Sequence, residues 1–302
     1  MVDQGSDQDE EIRAAWRENR RYLLDVAYRM LGSISAAEDA VQEAFARLVL
    51  ADRAAIQDLR GWLVVVVTRL CLDELRSARA RRETYVGPWL PEPVVQAAGP
   101  GDPADRVTLD DSVRIAMLVV LERLSPAERA AFVLHDVFQF GFEDVGHIVG
   151  RSPEACRQLA SRARRHIAEQ TGPARFEVDP VELRWIVDRF MAAANDGDRD
   201  ALMDVLDPDV VGWTDTGGLP GAPVGPITGQ KAVASVLLRF LGDYGVTLIP
   251  AMVNGEPGAM GLRDGLPISV IAFETRNGRI TRIHGIANPE KLANAGLAPP
   301  SV

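Results

Sequence analysis

Apolar residues in the first 83 positions recur every three or four residues, the spacing that places them on one face of an α-helix. Residues 22–31 carry one such face. Ser35 is predicted to cap a second helix over Ala36–Leu50. A third helix is predicted from Gly61 to about Arg82, apolar in its first half and rich in arginine in its second. These elements predict a helical bundle.

Residues 84–108 interrupt this pattern with five prolines and no sustained periodicity, which is typical of a linker. The linker is unusual because Tyr85, Trp89 and Leu90 are too apolar for a free spacer, so we expect it to dock on a folded surface. Helical periodicity returns over residues 109–170. Within this part, Ser125 and Glu128 have the spacing of a capping box.

Residues 142–166 predict two helices joined by a tight turn. Gly150 suits the left-handed end of the first helix, and Ser152 with Pro153 is a typical start for the second. The second helix has a basic face of arginine, glutamine and serine, the side chains that read base edges and grip phosphates in a major groove. The alternative is an ordinary helical hairpin with a solvated basic face.

From residue 180 the pattern changes to helices followed by strands. Helices are predicted at 181–194, 200–206 and 229–241, and strands at 210–214, 246–253, 259–262, 268–275 and 280–286. Asn277-Gly278 between the last two strands is a strong hairpin signal. This order predicts an α+β domain.

Composition narrows the function. The net charge of −10 argues against a protein that binds nucleic acid over its whole surface, but two local basic clusters, at residues 76–82 and 151–166, suit contacts with DNA at two places. Cys71 and Cys156 are expected to be buried thiols in a reducing compartment. No cysteine or histidine spacing suits a metal, and no cofactor is expected. The polar N-terminus and the short apolar runs predict a cytoplasmic protein without a membrane span.

With these residues laid out, the first half resembles the extracytoplasmic-function sigma factors of the sigma-70 family of RNA polymerase subunits. Residues 27–32 and 37–45 resemble conserved regions 2.1–2.2 of that family, and residues 62–63 and 70–76 resemble regions 2.3–2.4. Residues 121–129 and the two-helix segment resemble region 4. The resemblance covers about residues 12–170.

The resemblance implies a multidomain chain. A region 2 helical bundle would occupy residues 1–83 and bind core polymerase and the −10 element. The linker would occupy residues 84–108. A region 4 helix-turn-helix would occupy residues 109–172 and bind the −35 element. Residues 178–295 would form an α+β cone-shaped domain of the SnoaL-like (NTF2-like) type.

Site residues follow from the same resemblance. The clamp helices of the polymerase largest subunit would be contacted by Asp39, Gln42, Glu43 and Phe45. The −10 element would be held by Arg60, Trp62, Arg69, Arg76 and Arg79. The −35 element would be read by Arg157, Gln158, Ser161 and Arg162, with Arg164 and Arg165 nearer the phosphates. A solvated acidic face on the second helix, and a core position for Trp62, are the alternatives.

The remaining signatures resemble those of sigma factors with a fused SnoaL-like domain. They are the linker segment Trp89, Leu90, Pro91, Glu92 and Pro93, the tail segment Asn288, Pro289, Glu290 and Lys291, and the turn that begins at Asp215 and keeps two glycines of a glycine-rich motif. They imply that the C-terminal domain regulates transcription in cis, through its hold on the linker or through a small-molecule ligand in its pocket.

Two other function classes stay open. One is a one-component DNA-binding regulator that acts without polymerase, against which the acidic helix argues. The other is a bifunctional protein whose SnoaL-like domain is an enzyme. Asp215, Glu274 and His284 are its ionisable candidates, although a lone histidine on a strand is more often structural. The sequence therefore favours a protein that is not an enzyme.

Overall fold

The computed structural model describes residues 4–52, 55–82, 85–96, 114–171, 179–219, 224–293 and 295. They divide into two compact units. The first contains the helices up to residue 81 together with residues 120–170, and the second contains residues 85–96, 114–119 and those from 179 onward. None of the helices in these ranges is long and apolar enough to cross a membrane.

The first unit is entirely helical, as the apolar spacing predicts. Its helices are α1 (Gln4–Leu31), α2 (Ile34–Leu50), α3 (Leu59–Arg82), α4 (Ile115–Leu121), α5 (Pro126–Phe132), α6 (Phe142–Val149) and α7 (Pro153–Thr171); the first residues of α4 belong to the second unit. The predicted cap of α2 was wrong by two residues. Ser33 caps the helix by accepting a hydrogen bond from the N–H of Ala36, and the Ser35 hydroxyl lies 3.0 Å from that of Ser33.

A buried arginine of α5 connects the helical block of residues 109–170 with that of residues 1–83. Its start has the predicted capping box, with the Ser125 hydroxyl bound to the N–H of Glu128 and the Glu128 carboxylate bound to the N–H of Ser125. Arg129 is 1% exposed; its Nε donates to the carbonyl of Arg29 at the end of α1, and its guanidinium pairs with Glu122. Burial lowers the pKa of Arg129 to about 9, so it is still protonated at neutral pH.

Helices α6 and α7 form the predicted helix-turn-helix. Gly150 ends α6 with φ +73°, which is the left-handed conformation expected at this position. The carbonyl oxygen of Arg151, in the turn, lies 2.7 Å from where a Cβ of Gly146 would be. The absence of a side chain thus allows the tight turn itself.

The second unit is built on one seven-stranded sheet. Its helices are α8 (Pro180–Asn195), α9 (Arg199–Val205), α10 (Gln230–Tyr244) and α11 (Pro289–Ala293), and its strands are β1 (Val95–Gln96), β2 (Leu206–Asp215), β3 (Ile227–Thr228), β4 (Thr247–Val253), β5 (Glu256–Arg263), β6 (Leu266–Arg276) and β7 (Arg279–Ile286). The strand order is β1-β4-β5-β6-β7-β2-β3. All pairs are antiparallel except β2 with β7.

Alternate residues of the sheet belong to two separate cores. Ile271 and Phe273 face one core, where Phe190 of α8 packs edge-on to Phe273 with ring centroids 4.9 Å apart. Val270 and Ala272 face the other, which contains residues of the linker, of α4 and of α11. Because side chains alternate along a strand, the two sets are separated by the sheet. The linker residues thus share a core with one face of this sheet.

Two-residue turns connect the last four strands. The predicted Asn277-Gly278 turn has both residues at positive φ, as a type I′ hairpin requires. Asn254-Gly255 and Asp264-Gly265 adopt the same conformation between the earlier strands. Both dipeptides are strong hairpin signals, and they could have fixed the strand ends at these positions.

The predicted fold class is confirmed for the helical domains and for the α+β domain. The linker was expected to have no regular structure, but Val95 and Gln96 pair with Val253 and Met252 to extend the sheet by one short strand. Cys71 and Cys156 are both buried, as expected.

Candidate functional site

Three predicted contact residues lie on the open face of α2. Asp39, Gln42 and Glu43 are exposed, and the Glu43 carboxylate is 2.8 Å from Nε of Arg47 one turn later. Phe45 is 5% exposed and packs edge-on against Trp16 of α1, with ring centroids 4.7 Å apart. The structure therefore brings three of the four predicted residues together on the surface and places Phe45 in the interface between α1 and α2.

The residues predicted to hold the −10 element lie along α3 and differ in their contacts. The Arg60 guanidinium lies 4.0 Å above the ring of Tyr22, and Trp62 is half-buried. Arg69 is exposed and donates to the carbonyl oxygens of His147 and Ile148 at the end of α6. Arg76 is exposed and bridges to Asp73.

The backbone of Arg79 lies in α3, but its side chain is outside the described residues, as are residues 53 and 54 of the loop that precedes the helix. The resemblance to the sigma factors also implies that the loop of residues 52–60 accepts an unstacked base of the melted strand. This stays a prediction, because residues 53 and 54 lie outside the described residues.

All six residues predicted to meet the −35 element are exposed on α7: Arg157, Gln158, Ser161, Arg162, Arg164 and Arg165. Three of them make ion pairs in this structure. Arg157 lies 3.4 Å from Glu154, Arg162 lies 3.5 Å from Glu128, and Arg164 lies 2.7 Å from Asp136. The three paired arginine side chains remain on the surface, each about half exposed.

The C-terminal domain holds the linker through one buried carboxylate. Asp215, at the end of β2, is 0% exposed. Its Oδ2 accepts from the N–H of Leu90 at 2.9 Å and from Nζ of Lys291 at 2.7 Å. Its Oδ1 accepts from the Tyr85 hydroxyl and from the N–H of Gly217. We give the name linker clasp to these residues, together with Asn288 and Trp89, which contact Tyr85 and Lys291. Its members are Tyr85, Trp89, Leu90, Asp215, Gly217, Asn288 and Lys291.

The tail and the linker complete the clasp. Lys291 Nζ also donates to the carbonyl of Leu90 and lies 3.9 Å from the centroid of the Trp89 ring. Asn288 donates from Nδ2 to the Tyr85 hydroxyl at 3.0 Å. Burial, and then the hydrogen bond and charge of Asp215, raise the pKa of Tyr85, which keeps the phenol protonated and donating.

A glycine makes the close approach of the tail possible. Gly217 has φ +69°, and a Cβ at this position would lie 2.9 Å from Cγ of Asn288. A side chain would be strained there and would collide with the amide that holds Tyr85. This is the physical reason for a glycine in the turn after Asp215.

The residues of the predicted linker and tail segments differ in how deeply they are buried. Leu90, Pro91, Glu92 and Pro93 are buried, whereas Trp89 is half-buried. Pro289 and Glu290 are exposed at the start of α11, where the N–H of Glu290 donates to Oδ1 of Asn288. The structure thus joins Trp89, Leu90, Asp215, Asn288 and Lys291 directly and leaves Pro289 and Glu290 on the surface.

His284 and Glu274 form a separate polar pair on β7 and β6. His284 is 1% exposed, its Nε2 lies 2.9 Å from the Glu274 carboxylate, and its ring stacks on Trp213 at 5.7 Å. This is the environment of a hydrogen-bonded structural histidine. Asp215 takes no part in it, because its oxygens are used in the linker clasp.

Sequence reasoning expected Tyr85 to dock with the linker but did not identify its hydroxyl as a partner of Asp215, and it missed Arg129 altogether. The hydroxyl of a docked tyrosine needs a hydrogen-bond partner, and this is the signal that could have indicated the contact. Arg129 carries no comparable signal. An arginine on a helix is normally exposed, and only the packing of α5 reveals its burial.

Replacement of Asp215 by asparagine should destabilise the C-terminal domain. The Asp215→Asn change removes the charge opposite the buried Lys291 ammonium, and breaking one partner of a buried pair costs about 3–5 kcal/mol. Chemical denaturation should show a loss of that order in the free energy of unfolding. The matched change Asp264→Asn, at an exposed turn, should stay within about 0.5 kcal/mol. Equal stabilities for the two variants would contradict the role given to the carboxylate.

Comparison with known proteins identifies two regions of the chain. Residues 15–81 match the family model of Sigma-70 region 2, and residues 114–167 match that of Sigma-70, region 4. The chain is 42% identical over 287 residues to the probable ECF RNA polymerase sigma factor SigI of Mycobacterium tuberculosis, covering 94% of this chain and 96% of the relative.

A second relative has a solved structure. The chain is 41% identical over 290 residues to the ECF RNA polymerase sigma factor SigJ of Mycobacterium tuberculosis, with 92% of each chain covered. The crystal structure of SigJ superposes with a TM-score of 0.74 and 38% identity, over 94% of this chain and 99% of that one. Together with the two matched regions, these relatives show that the chain belongs to the extracytoplasmic-function sigma factors of the sigma-70 family.

Proposed function

We propose that this sigma factor engages core polymerase through the acidic face of α2 and promoter DNA through α3 and α7, and that its linker clasp restrains that activity in cis. The observation that carries the first part is the exposed set Asp39, Gln42 and Glu43. Residues spaced by three and four positions on a helix share one face. They offer carboxylate and amide groups to a basic partner, the clamp helices of the polymerase largest subunit.

Promoter recognition is divided between two helices. Arg69 and Arg76 of α3 supply positive charge for the backbone of the −10 element, and the exposed face of α7 enters the major groove of the −35 element. Arg157 and Gln158 lie in the first turns of α7, the part of a recognition helix that reaches base edges. Arg164 and Arg165 follow about two turns later and would meet phosphates. Since transcription takes place on the chromosome, the site of action is the cytoplasm.

Regulation in cis is supported by the chemistry of the linker clasp. Four donors converge on Asp215, and two of them, the Tyr85 hydroxyl and the Leu90 N–H, belong to the linker. A linker held in this way has fewer conformations, and it is the segment that connects the −10-binding and −35-binding parts of the chain. Release of the clasp therefore lengthens the free tether between them.

Loss of the acidic face should weaken core binding without unfolding the chain. The double change Asp39→Ala, Glu43→Ala removes exposed carboxylates, which contribute about 0–1 kcal/mol to stability. Co-purification with core polymerase should fall about tenfold or more, because charge pairs across an interface steer and hold the partner. The control is Glu10→Ala, Glu11→Ala on α1, with the same loss of charge. Wild-type recovery of core enzyme by the first variant would refute the assignment.

Base readout and phosphate contact should separate on α7. A good arginine–base contact is worth about 1–3 kcal/mol of discrimination, so Arg157→Ala should relax the base preference at one −35 position. Arg165→Ala should instead weaken binding to all sequences and flatten its salt dependence. Binding to a library of −35 variants at two salt concentrations measures both effects. A uniform loss of affinity in both variants would show that the division of roles is wrong.

Opening the clasp should raise transcription. Lys291→Ala removes the ammonium that joins Asp215 to Leu90, and Trp89→Ala removes the ring above it. If the clasp holds the linker in a restrained state, run-off transcription with core polymerase should rise about fivefold or more, in line with common coupling energies. Lys231→Ala, on the exposed face of α10, is the matched control. Circular dichroism would confirm folding, and unchanged transcription in both clasp variants would exclude regulation by this contact.

A further inference from the structure

Parts of regions 2 and 4 pack within one compact unit, and α3 contacts the helix-turn-helix directly. Arg69 donates to the carbonyl oxygens of His147 and Ile148, at 3.2 and 3.4 Å. Carbonyls at the end of a helix carry a partial negative charge, so a guanidinium is well placed there. The −10-binding helix and the −35-binding motif thus contact each other through a group that we propose for DNA.

A cavity of about 440 Å³ lies in the same compact unit. Three arginines line it: Arg76 from α3, Arg151 from the turn of the helix-turn-helix, and Arg162 from α7. Ser125 and Leu159 contribute to its walls. The volume is within the usual range for small-molecule sites.

The charges around the cavity favour an anion. Arg76 is bridged to Asp73 at 3.0 Å in an exposed pair, and Arg162 lies 3.5 Å from the largely buried Glu128. Burial opposes ionisation of Glu128, but hydrogen bonds from Ser125 and the charges of His166 and Arg162 leave its pKa lowered, so it is ionised at neutral pH. Three arginine residues therefore line one cavity, and two of them are paired with carboxylates. An anion bound there would be attracted by all three positive charges.

We infer that this cavity binds a small polyphosphate, such as the phosphate chain of a nucleotide, and that binding stabilises the closed arrangement of α3 and the helix-turn-helix. Guanidinium groups bind phosphate oxygens through paired, charge-assisted hydrogen bonds. A cavity of this volume accommodates a compact ligand.

The regulatory meaning of this site rests on the proposed function. The −35 and −10 elements are separated by about 25 base pairs, or about 85 Å at 3.4 Å per pair. A compact unit of this size has a radius of gyration of about 14 Å. Regions 2 and 4 must therefore separate before both elements are bound. A polyphosphate held by Arg76 and Arg162 keeps them together and occupies two groups proposed for the promoter.

The test is calorimetric titration of the full chain with sodium tripolyphosphate, at fixed ionic strength and without polymerase or DNA. We expect one site per chain. Arg151→Ala should weaken it about tenfold or more, the effect of losing one charge-assisted contact. Arg69→Ala, which breaks the contact between α3 and α6 without lining the cavity, should weaken it too. Arg263→Ala, in the C-terminal domain, has the same net charge and should bind as the wild type does.

Two further measurements keep the test decisive. Circular dichroism checks each variant, and Arg76→Ala replaces Arg151→Ala if the latter does not fold. No saturable binding, or equal weakening by Arg151→Ala and Arg263→Ala, would overturn the site. Full binding by Arg69→Ala would overturn its link to the closed arrangement. Arg151-dependent binding of non-promoter duplex DNA without tripolyphosphate binding would assign the arginines to a DNA surface instead. None of these results depends on whether the chain transcribes.

Discussion

The packing of the linker and the tail on the C-terminal domain depends on one carboxylate that has no access to water. Asp215 is 0% exposed, and an isolated charge in such a position would be strongly unfavourable. Four donors stabilise it: a lysine ammonium, a phenol and two backbone N–H groups. Because these donors come from three separate parts of the chain, the carboxylate can be buried only when linker, turn and tail are all in place. The polar requirement of one side chain thus specifies the path of the linker from Tyr85 to Leu90.

The fold was predictable where local chemistry decides it. Apolar spacing indicated the helices, the Ser125–Glu128 capping box fixed the start of α5, and Asn277-Gly278 fixed a hairpin. The cap of α2 was placed wrongly because Ser33 and Ser35 are equivalent locally, and the choice between them depends on where α1 ends. Motif spacing similarly identified the exposed residues of α2 and α7, which need no tertiary partner to be recognised.

The sequence was less informative about long-range polar contacts. It indicated that Trp89 and Leu90 dock, but not that Lys291 would bridge them to Asp215. Lys291 lies 76 positions after Asp215 and 201 positions after Leu90, and residues so far apart share no periodic pattern. Arg129 was missed for the same reason. Its burial follows from the carbonyl of Arg29, 100 residues away. Buried polar groups must find partners wherever the fold provides them, and local patterns do not show where that is.

The clasp binds Leu90 through its main chain, with its N–H held by Asp215 and its carbonyl by Lys291. These two groups are present in every amino acid except proline, which lacks the N–H. The side chain at position 90 can therefore change over evolution while the two main-chain hydrogen bonds persist. The apolar core around it limits which side chains fit. The number of residues between Tyr85 and Leu90 has no such freedom. An insertion or deletion there would move a different peptide group opposite Asp215 while the phenol still needed to reach the same carboxylate. The linker is thus constrained more by its length than by its identity, the reverse of what is usual for a segment between domains.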